Sequence, residues 1–541
     1  MQYTKALYEQ ELQQFTWDIP RDYNIVDVVE GHAAKHPDKI AIYWEDAEGR
    51  ERRVSYAELV AGMRRFGSSL MRLGVAKGDP VLHVLPRLPE AHMAQLGTFV
   101  AGGVAVPCSE MLKAKEIAYR AKASGAKVIV ADISIAETVE EARRDCPLET
   151  FILINGSGPR EGWISFEQLL KEGDEAVQKV SLSVDDPLTI NFTSGTTGNP
   201  KPVVHKHRWL YCHHRITARY WYAATEDDVI WATTAPGWAK WYWSPVGVSL
   251  TTGATQLMYN GRFDGERYIE LLEKYRVTKL CCTPTEYRLF AQLPGLADHN
   301  VVLKDALSAG EPLNVEPIQA FKRAFGVTIR DGYGQTESVC LVCNLPGMPV
   351  KPGAMGVPTP GPGVTIIDEA GRPVERGEVG EIALRPDSPA IFDGYWKAPE
   401  LDREAFSGGW YRTGDLVRMD EDGYLYFEGR ADDVILTSGY RIGPFEVEDA
   451  LVSHPAVVEA AAVASPHRDR GEIVKAFVIL AKGYAPSEEL TRELQDHVKA
   501  ETAPYKYPRA IEYVTELPKT TSGKIKRAEL KRREWEGWDR G

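Results

Sequence analysis

Apolar and polar positions change their period repeatedly along the first third of the chain. Arg52 to Tyr56 reads as a short strand, and Tyr56 to Leu73 places its apolar residues at helical spacing, which predicts an amphipathic helix. Val81 to Leu85 is a short apolar run of the kind that forms a buried strand, and Glu116 to Ser124 reads as a helix leading into a strand over Val128 to Ala131. Strands alternating with helices imply parallel sheets covered by helices. The same texture returns further on, with a helix over Arg267 to Tyr275 and a strand over Lys279 to Cys282.

At Leu345 the texture changes. Prolines at 346, 349, 352, 358, 360 and 362 are interleaved with glycines, and short β-rich runs follow, among them Val364 to Asp368 and Gly380 to Arg385. This predicts a small β-barrel or sheet appended to the α/β body. A second break falls at Gly429-Arg430-Ala431-Asp432-Asp433. Beyond it, Phe445 to Ser453, Val457 to Ala464, Lys475 to Ala481 and Ser487 to Glu501 alternate helix and strand over about 110 residues, enough for an independent small domain. The expected architecture is α/β: a large N-terminal domain over 1–431, made of two α/β subdomains plus a small β-barrel at about 346–430, and a small mobile C-terminal α+β domain over 432–541.

At 541 residues the chain is too long for one hydrophobic core, so clefts between folding units are available for ligands. With 43% hydrophobic and 26% charged residues it has the composition of a globular enzyme, and no apolar run is long enough to cross a bilayer. Met1 to Pro20 has neither a basic start nor an apolar core, so no signal peptide and a cytoplasmic location are expected. A net charge of −13 argues against general binding of nucleic acid. Seven cysteines, scattered from 108 to 343, fit reduced thiols better than a disulfide framework. The single Cys340-Leu-Val-Cys343 pair and the histidines at 205, 207, 213 and 214 are weak metal signals, since neither has a second ligand set nearby.

The strongest chemical signal is Thr193-Ser194-Gly195-Thr196-Thr197-Gly198-Asn199-Pro200-Lys201. Glycines permit close backbone approach to an anion, while the hydroxyls and Lys201 add charge-assisted bonds, so the run suits a nucleotide triphosphate. It is not an ordinary P-loop. Gly198 is separated from Lys201 by two residues and Pro202 follows, so the segment cannot run directly into a helix. A bland Ser/Thr/Gly surface loop is the alternative on this run alone.

Further motifs lie at long spacings: Ser308-Ala309-Gly310-Glu311-Pro312, Asp331-Gly332-Tyr333-Gly334-Gln335-Thr336-Glu337, Tyr411-Arg412-Thr413-Gly414-Asp415, Gly429 to Asp433, Ser438-Gly439-Tyr440-Arg441, and Pro518-Lys519-Thr520-Thr521-Ser522-Gly523-Lys524. This ordered set resembles the adenylate-forming superfamily of acyl-CoA synthetases, non-ribosomal peptide adenylation domains and firefly luciferase. In overall look it is most similar to medium-chain acyl-CoA synthetases and benzoate-type ligases.

The resemblance implies a ligase of fatty-acid metabolism that uses ATP, Mg²⁺ and coenzyme A: a carboxylate and ATP give an acyl-adenylate and pyrophosphate, then coenzyme A displaces AMP. It implies that Lys524 neutralises charge between the carboxylate and the α-phosphate, that Thr336 bonds the α-phosphate, and that Glu337 holds the metal. Tyr333, within Asp331 to Gln335, would stack on adenine opposite Gly310, Glu311 and Pro312. Asp415 would accept the ribose hydroxyls, supported by Arg430. Asp432 matches the family's hinge, about which the small domain turns to replace Lys524 with Gly439, Tyr440 and Arg441 at the pantetheine tunnel. Room is left for self-association, and for a lysine acetyltransferase and deacetylase acting on Lys524.

For the acid itself, Gly334 stands where similar acetyl-CoA synthetases carry a tryptophan, and its loss is expected to open space, each buried CH₂ being worth about 0.8 kcal/mol. Pro236-Gly237-Trp238-Ala239-Lys240-Trp241-Tyr242-Trp243 aligns with the family's substrate-pocket region; Trp238 is the expected wall, and Trp241 and Trp243 serve equally well as core. The expected substrate is a medium-chain fatty, aromatic or branched acid rather than acetate. The run holds no acidic residue to pair with an α-amino group, and the chain ends about 17 residues after Lys524, with no carrier segment expected. Lys506 and Arg509 are candidates for the coenzyme A phosphates, or solvated surface. One departure is Pro202, where many members have glycine. The rival readings are a carrier-protein-loading adenylation enzyme, a luciferase-like oxygenase and a non-catalytic nucleotide-binding homologue.

Overall fold

The computed structural model describes residues 2–156, 158–193, 200–310, 313, 315–431, 433–437, 440–468, 470–520, 523–536 and 538. They form two compact units, one running to Thr193 with Lys201–Val364 and Arg385–Phe406, the other comprising Thr365–Leu384 and the residues from Ser407 on.

The predicted elements of the first unit form within a residue or two of their expected limits: Glu51–Ser55, Tyr56–Arg72, Pro80–Val84, Ala114–Ser124, Val128–Asp132, Gly265–Lys274 and Lys279–Cys282. Local chemistry fixes some of these ends. Ser55 starts its helix with a capping box, its Oγ accepting from the Glu58 amide at 3.1 Å while Glu58 accepts from the Ser55 amide at 2.7 Å. That helix approaches Pro89–Val100 closely because Gly67 faces Val100, where a Cβ would sit 2.6 Å from the valine Cβ.

One sheet of this unit runs in the order Ile164–Ser165, Thr150–Ile154, Val128–Asp132, Pro80–Val84, Val104–Cys108, Pro187–Phe192 and Pro202–Lys206. Its pairings are parallel except the last, where Phe192 faces Pro202 in an antiparallel pair. A second sheet is ordered Ala354–Pro358, Val342–Cys343, Ile329–Tyr333, Asp305–Ser308, Lys279–Cys282, Val229–Ala232, Thr255–Asn260, Ile40–Asp46 and Glu51–Ser55, parallel from Ile329–Tyr333 to Ile40–Asp46. Strands buried on both faces carry near-continuous apolar runs, and Val104–Cys108 and Val128–Asp132 are buried throughout. Their cores centre on Val106, Ile129 and Phe151 in one sheet, and on Leu257, Leu280, Tyr287 and Phe321 in the other.

In the second unit, Thr365–Ile367, Val379–Leu384, Trp410–Met419 and Leu425–Arg430 pair antiparallel in sequence. A further sheet joins Tyr440–Ile442, Ile435–Thr437, Gly471–Leu480 and Val457–His467, with Ala510–Tyr513 parallel to Gly471–Leu480. Helices Pro444–Val452 and Glu488–Glu501 pack on it through Val447, Leu451, Leu494 and Val498. Among the described residues no helix is long and apolar enough to cross a membrane.

Candidate functional site

In open parallel sheets the strand carboxyl ends are where ligands bind. The chemical motifs of the first unit emerge there. Gly310 follows Asp305–Ser308, the Tyr333 to Glu337 turn follows Ile329–Tyr333, the aromatic run follows Val229–Ala232, and the phosphate loop follows Pro187–Phe192. Ser194 to Asn199, Glu311 and Pro312 lie outside the described residues.

Both stems of the phosphate loop are described. The Thr193 amide donates to the Lys201 carbonyl at 3.0 Å, and the Lys201 amide donates to Thr193 Oγ1 at 3.1 Å. The loop is therefore closed at its base by two strands, and a strand, not a helix, follows it. Pro202 costs nothing at this position: it opens the strand, where a missing N–H is tolerated, and its carbonyl accepts from the Trp396 amide at 2.8 Å.

The Thr336-Glu337 turn is held from three sides. Ser338 Oγ accepts from the Gln335 amide at 3.0 Å, closing the turn. His205 Nε2 lies 2.7 Å from the Thr336 carbonyl, so this nitrogen carries the proton; burial pushes the ring down to about 3, and it stays neutral, stacked on Trp209 with 3.5 Å between centroids. Tyr395 donates its hydroxyl to Glu337 Oε1 at 3.1 Å, and the Lys201 ammonium stands 5.5 Å from the centre of the same ring. Neither His205 nor Tyr395 was identified from the sequence, where His205 suggested only metal binding. The signals were a histidine inside the strand after the loop and the run Gly394-Tyr395-Trp396.

Beside Gly334, which was expected to open the acid pocket, the structure corrects one expectation. Gly334 does not leave a vacancy, because the indole of Trp243 occupies the space: a Cβ at 334 would lie 2.6 Å from Cζ2 of Trp243 and closer still to Cη2. Gly332 is covered likewise by Trp221, whose Nε1 donates to the Arg330 carbonyl at 3.3 Å. Both indoles come from wide-wound helices with i→i+5 bonding, His213–Tyr222 and Tyr242–Leu250, a geometry that recurs at functional sites. Trp241 is core, bonded to Gln95 at 3.0 Å and stacked on His92. Trp238, Lys240 and Tyr333 remain half-buried at the open end. Asp331 is buried, and its carboxyl accepts from the Gly332 amide at 3.0 Å; burial holds it well above the usual carboxylate range, against the smaller opposing pulls of that bond and of Lys240.

The cysteines and histidines behave as core. Cys340 and Cys343 are buried free thiols, His213 bonds Thr217 at 2.8 Å, and His207 packs edge-on to Phe99. Among the described residues no group of three His, Cys, Asp or Glu side chains could hold a metal unaided.

In the second unit, Asp415 and Arg430 face each other across antiparallel strands, with Arg430 Nη1 3.1 Å from Asp415 Oδ1 and 2.9 Å from the Thr413 carbonyl. Asp415 is 5% exposed. Gly414, at φ 73°, lets the chain turn beneath Arg430, since a Cβ there would meet Nη2 at 2.7 Å. Lys524 is exposed on a tight turn. Its amide donates to Thr520 Oγ1 at 3.1 Å and the Thr520 amide donates to its carbonyl at 2.8 Å, while Gly523 takes φ 83°. Its ammonium has no partner among the described residues. Lys506 is bound to Glu446, and Arg509 to the Tyr507 hydroxyl at 2.7 Å. Asp432, Gly439 and Ser522 lie outside the described residues, and Tyr440 and Arg441 are described by backbone alone, in Tyr440–Ile442.

Motifs at the strand ends, a Thr193-to-Lys201 loop joined at its base and a second unit bearing an exposed lysine are the features expected of an adenylate-forming enzyme. Residues 29–396 match the family model of AMP-binding enzymes and residues 446–524 that of the AMP-binding enzyme C-terminal domain. The chain is 46% identical to the uncharacterized acyl-CoA ligase YtcI of Bacillus subtilis (strain 168), over 95% of this chain and 97% of that one. It is 40% identical to the mitochondrial acyl-coenzyme A synthetase ACSM3 of Mus musculus, over 98% of this chain and 93% of that one. Among solved structures, the anthranilate CoA ligase AuaEII in complex with anthranoyl-AMP superposes with a TM-score of 0.87 at 30% identity, covering 96% of this chain and 98% of that one. The chain belongs to the AMP-binding enzyme family and, within it, to the acyl-CoA synthetases, which join a carboxylic acid to coenzyme A with ATP through an acyl-adenylate.

Proposed function

We propose that this synthetase activates a medium-chain fatty acid, or an aromatic or branched acid of similar size, with ATP and Mg²⁺. The observation that carries this is the division among the aromatic residues at the open strand ends: Trp241 and Trp243 are buried, while Trp238, the expected wall, stays half-buried. An acyl chain or ring gains by burial there, at about 0.8 kcal/mol per CH₂, and acetate gains almost nothing. The anthranoyl-AMP held by the structural relative is an acyl-adenylate of this aromatic class.

In the first step the acid's carboxylate oxygen bonds the α-phosphorus of ATP and pyrophosphate leaves; in the second the coenzyme A thiol, having lost its proton, bonds the acyl carbon and AMP leaves. Lys524 offsets charge in the first step only, a role supported by its exposure on a glycine-bearing turn. Thr336 contacts the α-phosphate, Lys201 and the Thr193-to-Lys201 loop take the departing phosphates, and Tyr333 stacks on adenine. Asp415, buried and oriented by Arg430, accepts from the ribose hydroxyls. Glu337 suits Mg²⁺, which binds through one or two hard carboxylates together with substrate phosphates and needs no all-protein cage. Bound there, the metal supplies neutralisation of phosphate charge. Gly439, Tyr440 and Arg441 serve the pantetheine chain, with Asp432 as the pivot. Acetylation of Lys524 would remove the charge the first step uses.

The test is pyrophosphate release with acetate, butyrate, octanoate, benzoate and glycine, followed by a coenzyme A thioester assay. Octanoate or benzoate should exceed acetate in kcat/KM by at least about 10²-fold, as several buried methylenes require. Preference for acetate or glycine would overturn the reading, and adenylation without transfer to free coenzyme A would favour a carrier-loading enzyme.

A further inference from the structure

The segment Ala390 to Trp396 is a stitch. Its first half pairs with the residues just beyond the Thr336-Glu337 turn: the Val339 amide donates to the Ala390 carbonyl at 3.0 Å and the Phe392 amide to the Glu337 carbonyl at 2.7 Å. Its second half pairs with the strand that follows the phosphate loop, through Asp393 to Val204 at 2.9 Å, Val204 to Gly394 at 3.0 Å and Trp396 to Pro202 at 2.8 Å. Gly394 makes the change of partner at φ 103°, where a Cβ would meet Asp402 Oδ1 at 2.9 Å. The same Asp402 oxygen accepts the Tyr395 amide at 2.7 Å, and Trp396 Nε1 is tied to the Ser124 carbonyl at 3.0 Å.

Tyr395 is thus fixed at both neighbours and 6% exposed, so its ring has little freedom. One end of that ring touches the Glu337 carboxylate and its face supports the Lys201 ammonium. We propose that Tyr395 is a positioning residue for Glu337: its hydroxyl fixes the carboxylate's orientation toward a hard cation and couples it to the phosphate-loop lysine. The inference rests on the acyl-CoA ligase reading. A ligating carboxylate is itself ordinarily hydrogen-bonded, and losing such a support costs about 10–100-fold in metal affinity. His205 secures the Thr336 carbonyl from the same strand, so the turn's backbone survives loss of the phenol hydroxyl.

Tyr395→Phe removes the hydroxyl and keeps the ring beneath Lys201. The experiment titrates Mg²⁺ while following binding of a non-hydrolysable ATP analogue by calorimetry, with Mn²⁺ binding by electron paramagnetic resonance as the second readout. The expected result is a metal midpoint raised about 10-fold or more, with kcat at saturating Mg²⁺ within a few-fold of the parent. In a Glu337→Gln background the same change should leave the midpoint where it is. A Tyr395→Phe midpoint that superimposes on the parent, or a shift that persists without Glu337, overturns the inference and leaves the ligase reading standing. A parent enzyme that binds the analogue equally well without divalent metal overturns both.

Discussion

The two ends of the parallel strands in the larger sheet treat charge in opposite ways. At the starts of three neighbouring strands, Lys279, Asp305 and Arg330 satisfy one another: Lys279 Nζ lies 2.8 Å from Asp305 Oδ2, Arg330 Nη2 2.8 Å from Oδ1, and Arg330 Nη1 donates to the Asn344 carbonyl at 2.7 Å. Burial pushes Asp305 up, but Arg330 and Lys279 outweigh it and hold the carboxyl below the usual range. Towards the other end, Asp331, next to Arg330 in the same strand, stands in register with Ser308, the last residue of Asp305–Ser308, whose buried Oγ has no partner among the described residues, and burial leaves Asp331 well above that range. One end uses its charges to hold the strands together. The other leaves Trp238, Lys240, Tyr333, Thr336 and Glu337 half-exposed, where the proposed ligand would reach them.

This contrast can be broken by substitutions that should separate stability from catalysis. The largest expected effect is at the closed end. Asp305→Ala leaves buried Lys279 with only the longer 3.8 Å contact to Asp228, and Arg330 with only the Asn344 carbonyl, and should cost about 3 kcal/mol in denaturant unfolding, with kcat/KM per folded molecule unchanged. Glu337→Gln should do the reverse, lowering adenylate formation by about 10²–10³-fold with little change in melting temperature. A stability loss at Glu337 matching that at Asp305 would dissolve the distinction.

Gly334→Trp is a smaller but sharper test. Because Trp243 and the Val339 carbonyl fill the neighbouring space, the added indole should overpack the site and cost about 1–3 kcal/mol, and Trp243→Gly in the same chain should recover only the part due to the ring, since the Val339 carbonyl stays in place. A stable single variant that merely shifts acid preference toward acetate would restore the vacancy the structure denies. The smallest effects are in pH dependence. With its folded value lowered, Asp305 adds stability above the ordinary carboxylate range that is lost as pH falls through that lowered value. With its folded value raised, Asp331 has the opposite sign: stability declines as pH rises from the ordinary range through the raised value, and Asp331→Asn should flatten that slope in unfolding curves.

Much of this architecture is legible along the chain because its causes are local. The capped helix Tyr56–Arg72, the strand Lys279–Cys282 and the helix Glu488–Glu501 follow from period and end chemistry, and the proline after Lys201 excluded the helix that follows a P-loop, leaving the strand to be found in the structure. The Asp415 and Arg430 pairing came from motif order and is realised as cross-strand neighbours. What stayed hidden depends on distant contacts. Tyr395 reaches Glu337 across 58 positions and His205 reaches Thr336 across 131, and no periodicity records either. Trp243 at Gly334 was hidden for the same reason: a missing side chain at one position says nothing about which distant residue has moved in.

The central claim is that one chain runs two half-reactions and that Lys524 serves only the first. The direct measurement compares parent and Lys524→Ala in single turnovers, following acyl-adenylate formation from acid and ATP, and thioester formation from supplied acyl-adenylate and coenzyme A. Adenylation should fall by about 10²-fold or more while thioester formation stays within a few-fold of the parent. Equal loss in both half-reactions, or no loss in the first, would contradict it.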